Sequence, residues 1–265
     1  MEHSVFYAKN SSELLYLLKT TQNLSVLGGC SRIETLPQKF ISIRSIEELC
    51  RIERHERYID AGPGVTLSNL LQLGEKHLPK VLYDALRSVG TPNIRNIATL
   101  GGNILNPDHK LSLYASLLAL DAKLELTTHD QSKFVSILNF KGLPENCILS
   151  KIRIPINYGD VSVYKRVGPE HSIDENSATF AFIANTEKNS ISNISLAFAG
   201  PFAFRSREFE TSLIGKRLPL TKDAVSEIVI HARNYFTEEA QDIMMNDVLR
   251  QQFVNLTRYA FEQLM

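Results

Sequence analysis

The sequence predicts an α+β protein of two domains, residues 1–157 and 158–265. In the first domain, short apolar strands alternate with short helices over residues 4–76. In the second, three alternating strands come first and helices follow, the pattern of a small antiparallel sheet packed under helices. Between the two, the polar stretch Asn157–Asp160 has the composition of a linker.

The elements of the first domain follow from apolar periodicity and from the residues that interrupt it. Ser11 and Ser12 precede an apolar helical pattern, so they predict the start of a helix. The predicted strands are residues 4–9, 24–27, 40–43, 58–62, 123–128 and 148–154, and residues 128–133 are expected to form the turn after the fifth. The predicted helices are residues 13–20, 45–49, 66–76, 79–88 and 111–120.

The second domain is predicted to contain a three-stranded antiparallel sheet. Its strands are residues 161–166, 178–185 and 191–199, with a turn at Asn189-Ser190. Gly200-Pro201 ends this set, and Phe202 and Phe204 are expected in the core or an interface. The predicted helices are residues 209–213, 222–236 and 247–264.

Composition is that of an ordinary globular protein, with 43% hydrophobic and 22% charged residues. Lys plus Arg and Asp plus Glu each number 29, which argues against a general surface for polyanions. No apolar run approaches the roughly 20 residues of a membrane span. The N-terminus lacks the basic start and apolar core of a signal peptide. We therefore expect a cytoplasmic location.

The three cysteines, Cys30, Cys50 and Cys147, lie far apart in the chain, and no Cys-x-x-Cys occurs. The chain alone therefore offers no iron–sulfur or zinc site. Cys50 is expected to pack on a helix, and Cys147 is expected to be a loop or strand-edge residue. Cys30 lies in a glycine segment, where a small neutral filler is favoured over a reactive thiol.

The most informative stretch is residues 88–104. Gly90–Asn93 interrupt regular structure, and a run of small residues around a glycine pair, Ala98–Asn103, follows. Because glycine lets a ligand approach the backbone, N–H groups beside Thr99 and Asn103 can hold an anion such as phosphate. A tight turn would explain an isolated Gly-Gly.

A second glycine pair lies upstream and favours the binding interpretation. The strand Leu24–Leu27 runs directly into Gly28-Gly29-Cys30-Ser31-Arg32-Ile33. This is a strand, a glycine turn and then a segment that can present backbone amides. It does not match the G-x-G-x-x-G pattern of Rossmann folds.

Together, the two segments resemble the flavin motifs of the FAD-binding (medium) subunits of molybdenum hydroxylases, the group of xanthine dehydrogenase and carbon monoxide dehydrogenase. Residues 26–33 resemble the first motif, Ala-Gly-Gly-Thr/His-Ser/Asp, and residues 93–104 resemble the second nearly letter for letter. The stretches 59–67 and 117–122 match the framework between the motifs. Tyr164-Lys-Arg-Val-Gly168, Ser195–Gly200 and Leu213–Lys216 resemble the family's C-terminal domain.

The resemblance implies an FAD-binding domain of the PCMH or vanillyl-alcohol-oxidase-like type, with subdomains of about residues 1–55 and 56–157. FAD would extend between them, and a C-terminal domain would shield its ring. The cofactor-binding residues carried over by position are Val26, Leu27, Gly28, Gly29, Cys30, Ser31, Arg32, Ile33, Val89, Ala98, Thr99, Gly101, Gly102, Asn103, Asp108, Ser112, Ile148 and Lys165. The first eight would wrap the pyrophosphate and ribityl chain, and residues 98–103 would form the second wall. Ile148 and Lys165 would approach the flavin end.

The chain departs from the family pattern at two of these positions. Ser112 stands where the family commonly has an aspartate near the adenosine end of FAD, and Asp108 in the same loop can compensate. Val89 stands where fused xanthine dehydrogenases have an aromatic residue beside the flavin. Arg95, within the second motif, is expected to be a structural arginine rather than a phosphate contact.

The resemblance also implies partners and a reaction. Electrons would leave a substrate at a molybdenum centre in a large subunit and pass through 2Fe–2S clusters in a small subunit. They would then reach FAD here and reduce NAD⁺ or another acceptor. Two alternatives remain open: a self-contained flavin oxidoreductase of the same fold, and a scaffold subunit that no longer binds FAD. Ser112 is the departure that favours the scaffold.

Overall fold

The computed structural model describes residues 3–106, 110, 112–169, 172–241 and 245–265. The strands are β1 Ser4–Phe6, β2 Leu24–Leu27, β3 Lys39–Ser42, β4 Ile52–Arg54, β5 Tyr58–Ala61, β6 Lys123–Thr127, β7 Ser132–Ser136, β8 Ile148–Pro155, β9 Val161–Val167, β10 Ala178–Glu187, β11 Ser190–Ala199 and β12 Ala203–Phe204. The helices are α1 Ser11–Thr20, α2 Leu67–Leu71, α3 Lys80–Ser88, α4 Pro92–Ile97, α5 Leu100–Ile104, α6 Tyr114–Ala119, α7 Arg207–Leu213, α8 Lys222–Glu239 and α9 Asp247–Glu262.

The chain divides into two compact units. The first contains Met1–Leu73, Val89–Pro107 and Asp121–Ile156, and the second contains Gly74–Ser88, Asp108–Leu120 and Asn157–Met265. The last division follows Ile156, and the two domains expected at residues 1–157 and 158–265 stay a prediction. The sequence does not indicate that α3 and α6 group with the C-terminal part of the chain, because sequence order places them in the first domain.

The first unit contains two sheets. In the first sheet, β3 lies between β1 and β2 and is parallel to both. The second sheet is antiparallel, in the order β4-β5-β8-β6-β7. Two of its strands differ from prediction. β4 is three residues long, below the length at which alternation is visible. The turn predicted at residues 128–133 includes the first two residues of β7.

Helix α1 is capped from two sides. The Asn10 side chain accepts a hydrogen bond from the Glu13 amide at 2.9 Å, and a carboxylate from elsewhere in the first unit, that of Glu48, accepts one from the Ser11 amide. Both acceptors satisfy N–H groups that the helix itself leaves without partners. Leu14 and Leu15 then enter a core with Ile41.

The second unit is built on one antiparallel sheet of four strands, in the order β12-β11-β10-β9. The sequence predicts three. The fourth, β12, is two residues long and folds back beside β11 after the turn at Gly200, pairing Phe204 with Phe198. A two-residue strand carries no periodicity, so only its pairing reveals it. Phe202 and Phe204 lie in the core, as expected.

The two faces of this sheet differ in side-chain size. On one face, large side chains such as Phe180, Phe182 and Phe198 pack with α8 and α9, where the Phe182 and Phe261 rings lie 5.1 Å apart. The opposite face carries Thr179, Ala181, Ser195, Ala197 and Ala199 in the alternate positions. Small residues allow α6 to approach the sheet closely, and α6 is buried along its whole length.

A buried ion pair joins α6 to this sheet. Arg205, 6% exposed, donates from Nε to Glu210 Oε1 at 2.7 Å and from Nη2 to Ser195 Oγ at 2.9 Å. Its Nη1 donates to the carbonyl of Leu118 in α6. Glu210 also accepts from the Leu196 amide at 2.9 Å, so the pair connects α6, β11 and α7.

None of the helices in the described ranges is both long enough and apolar enough to cross a lipid bilayer.

Candidate flavin site

The first glycine segment begins where β2 ends. Leu27 is buried, and the chain then turns through Gly28 and Gly29 into Cys30, whose φ of 55° lies in the left-handed region. The Ile33 amide donates to the Cys30 carbonyl at 3.4 Å and closes the turn. Within the described chain, the N–H groups of residues 29–32 have no hydrogen-bond acceptor. They are the donors available to a ligand here.

The second glycine segment consists of two short helices, α4 and α5. The sequence marks this stretch as irregular because its proline and glycines interrupt both periodicities. Thr91 caps α4, and its Oγ1 accepts from the Ile94 amide at 3.4 Å. Thr99 caps α5, and its Oγ1 accepts from the Gly102 amide at 3.2 Å. Each threonine therefore satisfies its own helix start.

The amides of α5 are largely used within the protein, which corrects the sequence interpretation. The Leu100 amide donates to Val65 O at 2.9 Å, and the Gly101 amide donates to Pro63 O at 2.8 Å. The Asn103 amide donates to Thr99 O at 3.0 Å. The expectation of a run of accessible amides beside Thr99 and Asn103 is therefore wrong. Among the described residues, the amides of residues 29–32 in the first glycine segment have no protein acceptor.

The stretch Gly62–Thr66 supports the second segment. The sequence alone identifies this stretch only as a match to the family's framework. The Leu67 amide donates to Ala98 O at 2.9 Å, so this stretch and residues 98–101 run side by side. A Cβ on Gly62 would lie 2.2 Å from the carbonyl oxygen of Leu49. The Gly-Pro-Gly after a buried strand is the signal that marks this support.

The two glycine segments meet directly. A Cβ on Gly28 would lie 2.4 Å from Thr99 Oγ1, and a Cβ on Gly29 would lie 1.5 Å from the carbonyl oxygen of Ile97. Real Cβ atoms essentially never come within 3.0 Å of such groups. Glycine is therefore required here for backbone-to-backbone contact, independently of any ligand.

The second glycine pair is divided between two tasks. A Cβ on Gly101 would lie 2.6 Å from Pro63 Cβ, so this buried residue packs against the supporting stretch. Gly102 is exposed, and among the described residues an added Cβ would have only Thr99 Oγ1 within 4 Å, at 3.1 Å. Of the four glycines, Gly102 leaves the most open space for a ligand.

The charged side chains of the two segments, Arg32 and Arg95, are both cations. Among the described residues of the two segments, Cys30, Arg32 and Ile33 are exposed, and so are Ile94 and Ile97 of α4. Arg95 donates from Nη1 to the carbonyls of Val89 and Gly90, both at 2.8 Å. It therefore holds the turn before α4, which agrees with the structural role expected for it.

The remaining predicted residues lie in different environments. The side chain of Ile148 is 3% exposed and packs in the core of the first unit. Lys165 is exposed on β9, with Nζ 5.1 Å from the centre of the Tyr259 ring. Ser112 is buried in the second unit, where its carbonyl accepts from the Tyr164 hydroxyl at 3.1 Å. Asp108 lies outside the described residues.

One group of side chains in the described chain has the spacing of a metal site. Ligand atoms of Glu53, His55 and Asp60 lie within 4.8 Å of one another. Both oxygens of Asp60, however, accept hydrogen bonds from Arg153 at 2.8 Å, and Lys151 lies 3.7 Å away. These cations already neutralise the carboxylate and disfavour a metal ion.

Comparison with known proteins identifies the family. Residues 1–157 match the family described as the FAD binding domain in molybdopterin dehydrogenase. The chain belongs to this family. It is therefore an oxidoreductase component whose cofactor is FAD.

Two relatives and one solved structure illustrate the extent of the likeness. The chain is 28% identical to the glyceraldehyde dehydrogenase medium chain of Sulfolobus acidocaldarius over 245 residues, 86% of this chain and 87% of that one. It is 30% identical to the xanthine dehydrogenase FAD-binding subunit of Escherichia coli O157:H7, over 64% of this chain and 62% of that one. The match thus spans less than two thirds of the second relative.

The fold is shared with a solved carbon monoxide dehydrogenase from Hydrogenophaga pseudoflava. The likeness covers 100% of this chain and 96% of that one, with a TM-score of 0.81 and 20% identity. At this identity the comparison shows the fold alone.

The residues present fit the cofactor of the molybdopterin dehydrogenase family. FAD carries a dianionic pyrophosphate, and neutral backbone donors with no side chain in the way can hold such a group. The N–H groups of residues 29–32 and the open surface of Gly102 meet that requirement in the first unit. The buried glycines, Gly101 among them, keep the supporting backbones close together.

Proposed function

We propose that the chain is the FAD-carrying electron-transfer subunit of a multi-subunit molybdenum hydroxylase resembling xanthine dehydrogenase. It accepts electrons from 2Fe–2S clusters of a small partner subunit and passes them to NAD⁺ or another acceptor. The substrate is oxidised in a large partner subunit that carries the molybdenum cofactor.

The observation that carries this proposal is the meeting of two glycine segments that are about 70 residues apart in sequence. Gly29 and Ile97 touch through their backbones, and the unused amides of residues 29–32 lie in the first of these segments. Packing explains Gly28, Gly29 and Gly101, whereas the space beside Gly102 is available to a ligand. The family match and a relative that is itself a medium chain, aligned over 87% of its length, support the subunit assignment.

Within the proposal, the two segments have separate roles. Residues Val26–Ile33 hold the pyrophosphate through their amides, while Gly102 lets it approach α5. Bound FAD supplies two-electron chemistry and one-electron chemistry that side chains do not perform. The protein contributes position: Thr99 fixes Gly102, and Arg95 fixes the carbonyl of Val89. We further propose that FAD lies between subdomains of a PCMH-like domain.

The proposal is tested by expressing the chain alone and then together with its partner subunits. The chain alone should retain FAD or take it up on reconstitution, with the absorption bands of oxidised flavin. With the molybdenum and 2Fe–2S subunits it should form one complex, in which substrate added to the large subunit bleaches those bands.

Each alternative predicts a different result. A colourless chain that cannot be reconstituted with FAD would support the scaffold alternative and contradict the other two. A flavin-containing chain that turns over a substrate of its own without partners would favour the self-contained oxidoreductase. Reduction of the flavin by substrate only in the presence of both partners is the outcome that the proposal requires.

A further inference from the structure

Helices α3 and α6 of the second unit are joined by the chain segment that carries the second flavin motif. The chain leaves the second unit after Ser88, contributes residues 89–106 to the first unit, and is again described in the second unit from Lys110 and Ser112. Ser116 Oγ donates to the carbonyl of Val81 at 2.8 Å, in the buried contact between α3 and α6. The two helices are thus bound to each other away from the segment.

Near the segment, a single tyrosine hydroxyl binds the residues on both sides of it. Tyr164 Oη of β9 lies 2.9 Å from Ser88 Oγ and 3.1 Å from the carbonyl oxygen of Ser112. A phenol has one proton and can also accept. It therefore donates to the Ser112 carbonyl, which can only accept. Between Tyr164 and Ser88 either hydroxyl can be the donor, and Ser88 Oγ also donates to the carbonyl of Ala85 at 2.7 Å.

We propose that Tyr164 is a positioning residue that pins both ends of the flavin-motif segment and thereby sets its geometry for FAD. Ser88 directly precedes Val89, and Ser112 lies at the return of the segment. Fixing the two ends of a chain segment restricts the conformations between them. The inference rests on the proposed function, because it assumes that residues 98–103 form one wall of the FAD site.

Three further observations support a pin rather than an incidental contact. The hydroxyl is desolvated, which raises the pKa of Tyr164 and keeps it protonated as a donor. The Ser112 carbonyl is a backbone group of a residue that is 5% exposed, so losing its donor would leave it without compensation from water. The Lys110 amide donates to Gly200 O at 2.9 Å, so the return of the segment is held at a second point.

The test compares Tyr164→Phe with the wild type and with Tyr158→Phe. The control removes a hydroxyl from an exposed tyrosine of the same unit, which donates to Lys76 O at 3.4 Å. Hydrogen exchange is measured on the cofactor-free chain, and FAD affinity by fluorescence titration. In Tyr164→Phe, peptides from residues 89–106 should exchange faster, and the Kd for FAD should rise about five- to tenfold. Tyr158→Phe should match the wild type in both.

Ser88→Ala provides an independent check of the same hydroxyl pair. If the pair acts as a unit, the double variant Ser88→Ala/Tyr164→Phe should bind FAD no more weakly than Tyr164→Phe alone. Additive losses would mean that Ser88 acts elsewhere and would contradict the pin.

The outcomes separate this inference from the proposed function. The inference would be overturned if Tyr164→Phe lost thermal stability but kept the wild-type FAD affinity and the wild-type hydrogen-exchange rates in residues 89–106. If residues 89–106 exchange faster in Tyr164→Phe but the wild-type chain binds no FAD, the positioning role of Tyr164 is supported and the FAD assignment is overturned.

Discussion

The carbonyl oxygen of Ile97 occupies the place where a side chain on Gly29 would begin, 1.5 Å from the ideal Cβ position. Two backbones from segments far apart in sequence therefore touch with nothing between them. This contact places the first flavin segment beside the second within the first unit, and it determines how each glycine responds to substitution.

Gly29→Ala should destabilise the cofactor-free chain. Its methyl group must displace the backbone at Ile97, and overpacking of this kind typically costs about 1–3 kcal/mol. Urea unfolding of the cofactor-free protein measures this loss. Gly102→Ala is the matched control, because among the described residues its Cβ meets only Thr99 Oγ1, at 3.1 Å. Its stability should change by less than about 1 kcal/mol. Equal stability of the two variants would show that the contact is not rigid.

Gly102→Val should abolish FAD retention while the chain stays folded. The added side chain points into the space that the pyrophosphate is proposed to use, since Gly102 is exposed and has few neighbours. The flavin-to-protein absorbance ratio after purification measures retention, and circular dichroism checks the fold. A folded variant with full flavin content would show that the pyrophosphate lies elsewhere.

The ion pair of Arg205 and Glu210 should contribute strongly to the stability of the second unit. Arg205→Met leaves a buried carboxylate without its main partner, so we expect a loss of about 3–5 kcal/mol in chemical denaturation. Arg207→Met removes a half-exposed contact to Glu210 at 3.5 Å and should cost less than about 1 kcal/mol. The assignment fails if both variants lose the same amount.

Replacing both members of the pair should be milder than replacing Arg205 alone. In Arg205→Met/Glu210→Leu, neither charge of the pair remains, although the Leu118 carbonyl and the Leu196 amide each lose a hydrogen bond. Part of the lost stability should therefore return. A double variant less stable than Arg205→Met would mean that those two backbone groups dominate.

Glu48 should make stability depend on pH in the acid range. Hydrogen bonds from Ser11 lower the pKa of its carboxyl group from the ordinary value of 4.5. Because the folded pKa is the lower one, the stabilisation is fully present above about pH 4.5 and is lost as pH falls through the folded pKa. Glu48→Gln should therefore be less stable than wild type near neutrality, and the difference should shrink below pH 4.5.

Urea midpoints of wild type and variant across this pH range provide the measurement. Glu47→Gln, which removes an exposed contact with Arg51 four residues on, serves as the control. A stability difference for Glu48→Gln that is constant with pH would contradict the role of its charge at the start of α1.

Most helices and strands could be predicted because each is specified by neighbouring residues. The alternation in β10 and β11 and the periodicity of α8 and α9 are local patterns, and their predicted bounds agree with the structure to within three residues. Two of the elements that differ, β4 and β12, are only two or three residues long. Their hydrogen bonds to neighbouring strands define them, and pairing is not a local property.

The sequence by itself determined the family and the two glycine segments, since the motifs are contiguous and their glycines have a direct steric meaning. Only the tertiary structure decided which glycine does what: Gly29 meets Ile97, Gly101 meets Pro63, and Gly102 faces open space. It also decided that the unused amides belong to residues 29–32 rather than to α5. The physical reason is that steric contact and hydrogen-bond acceptors come from segments distant in sequence, whose approach depends on the path of the whole backbone.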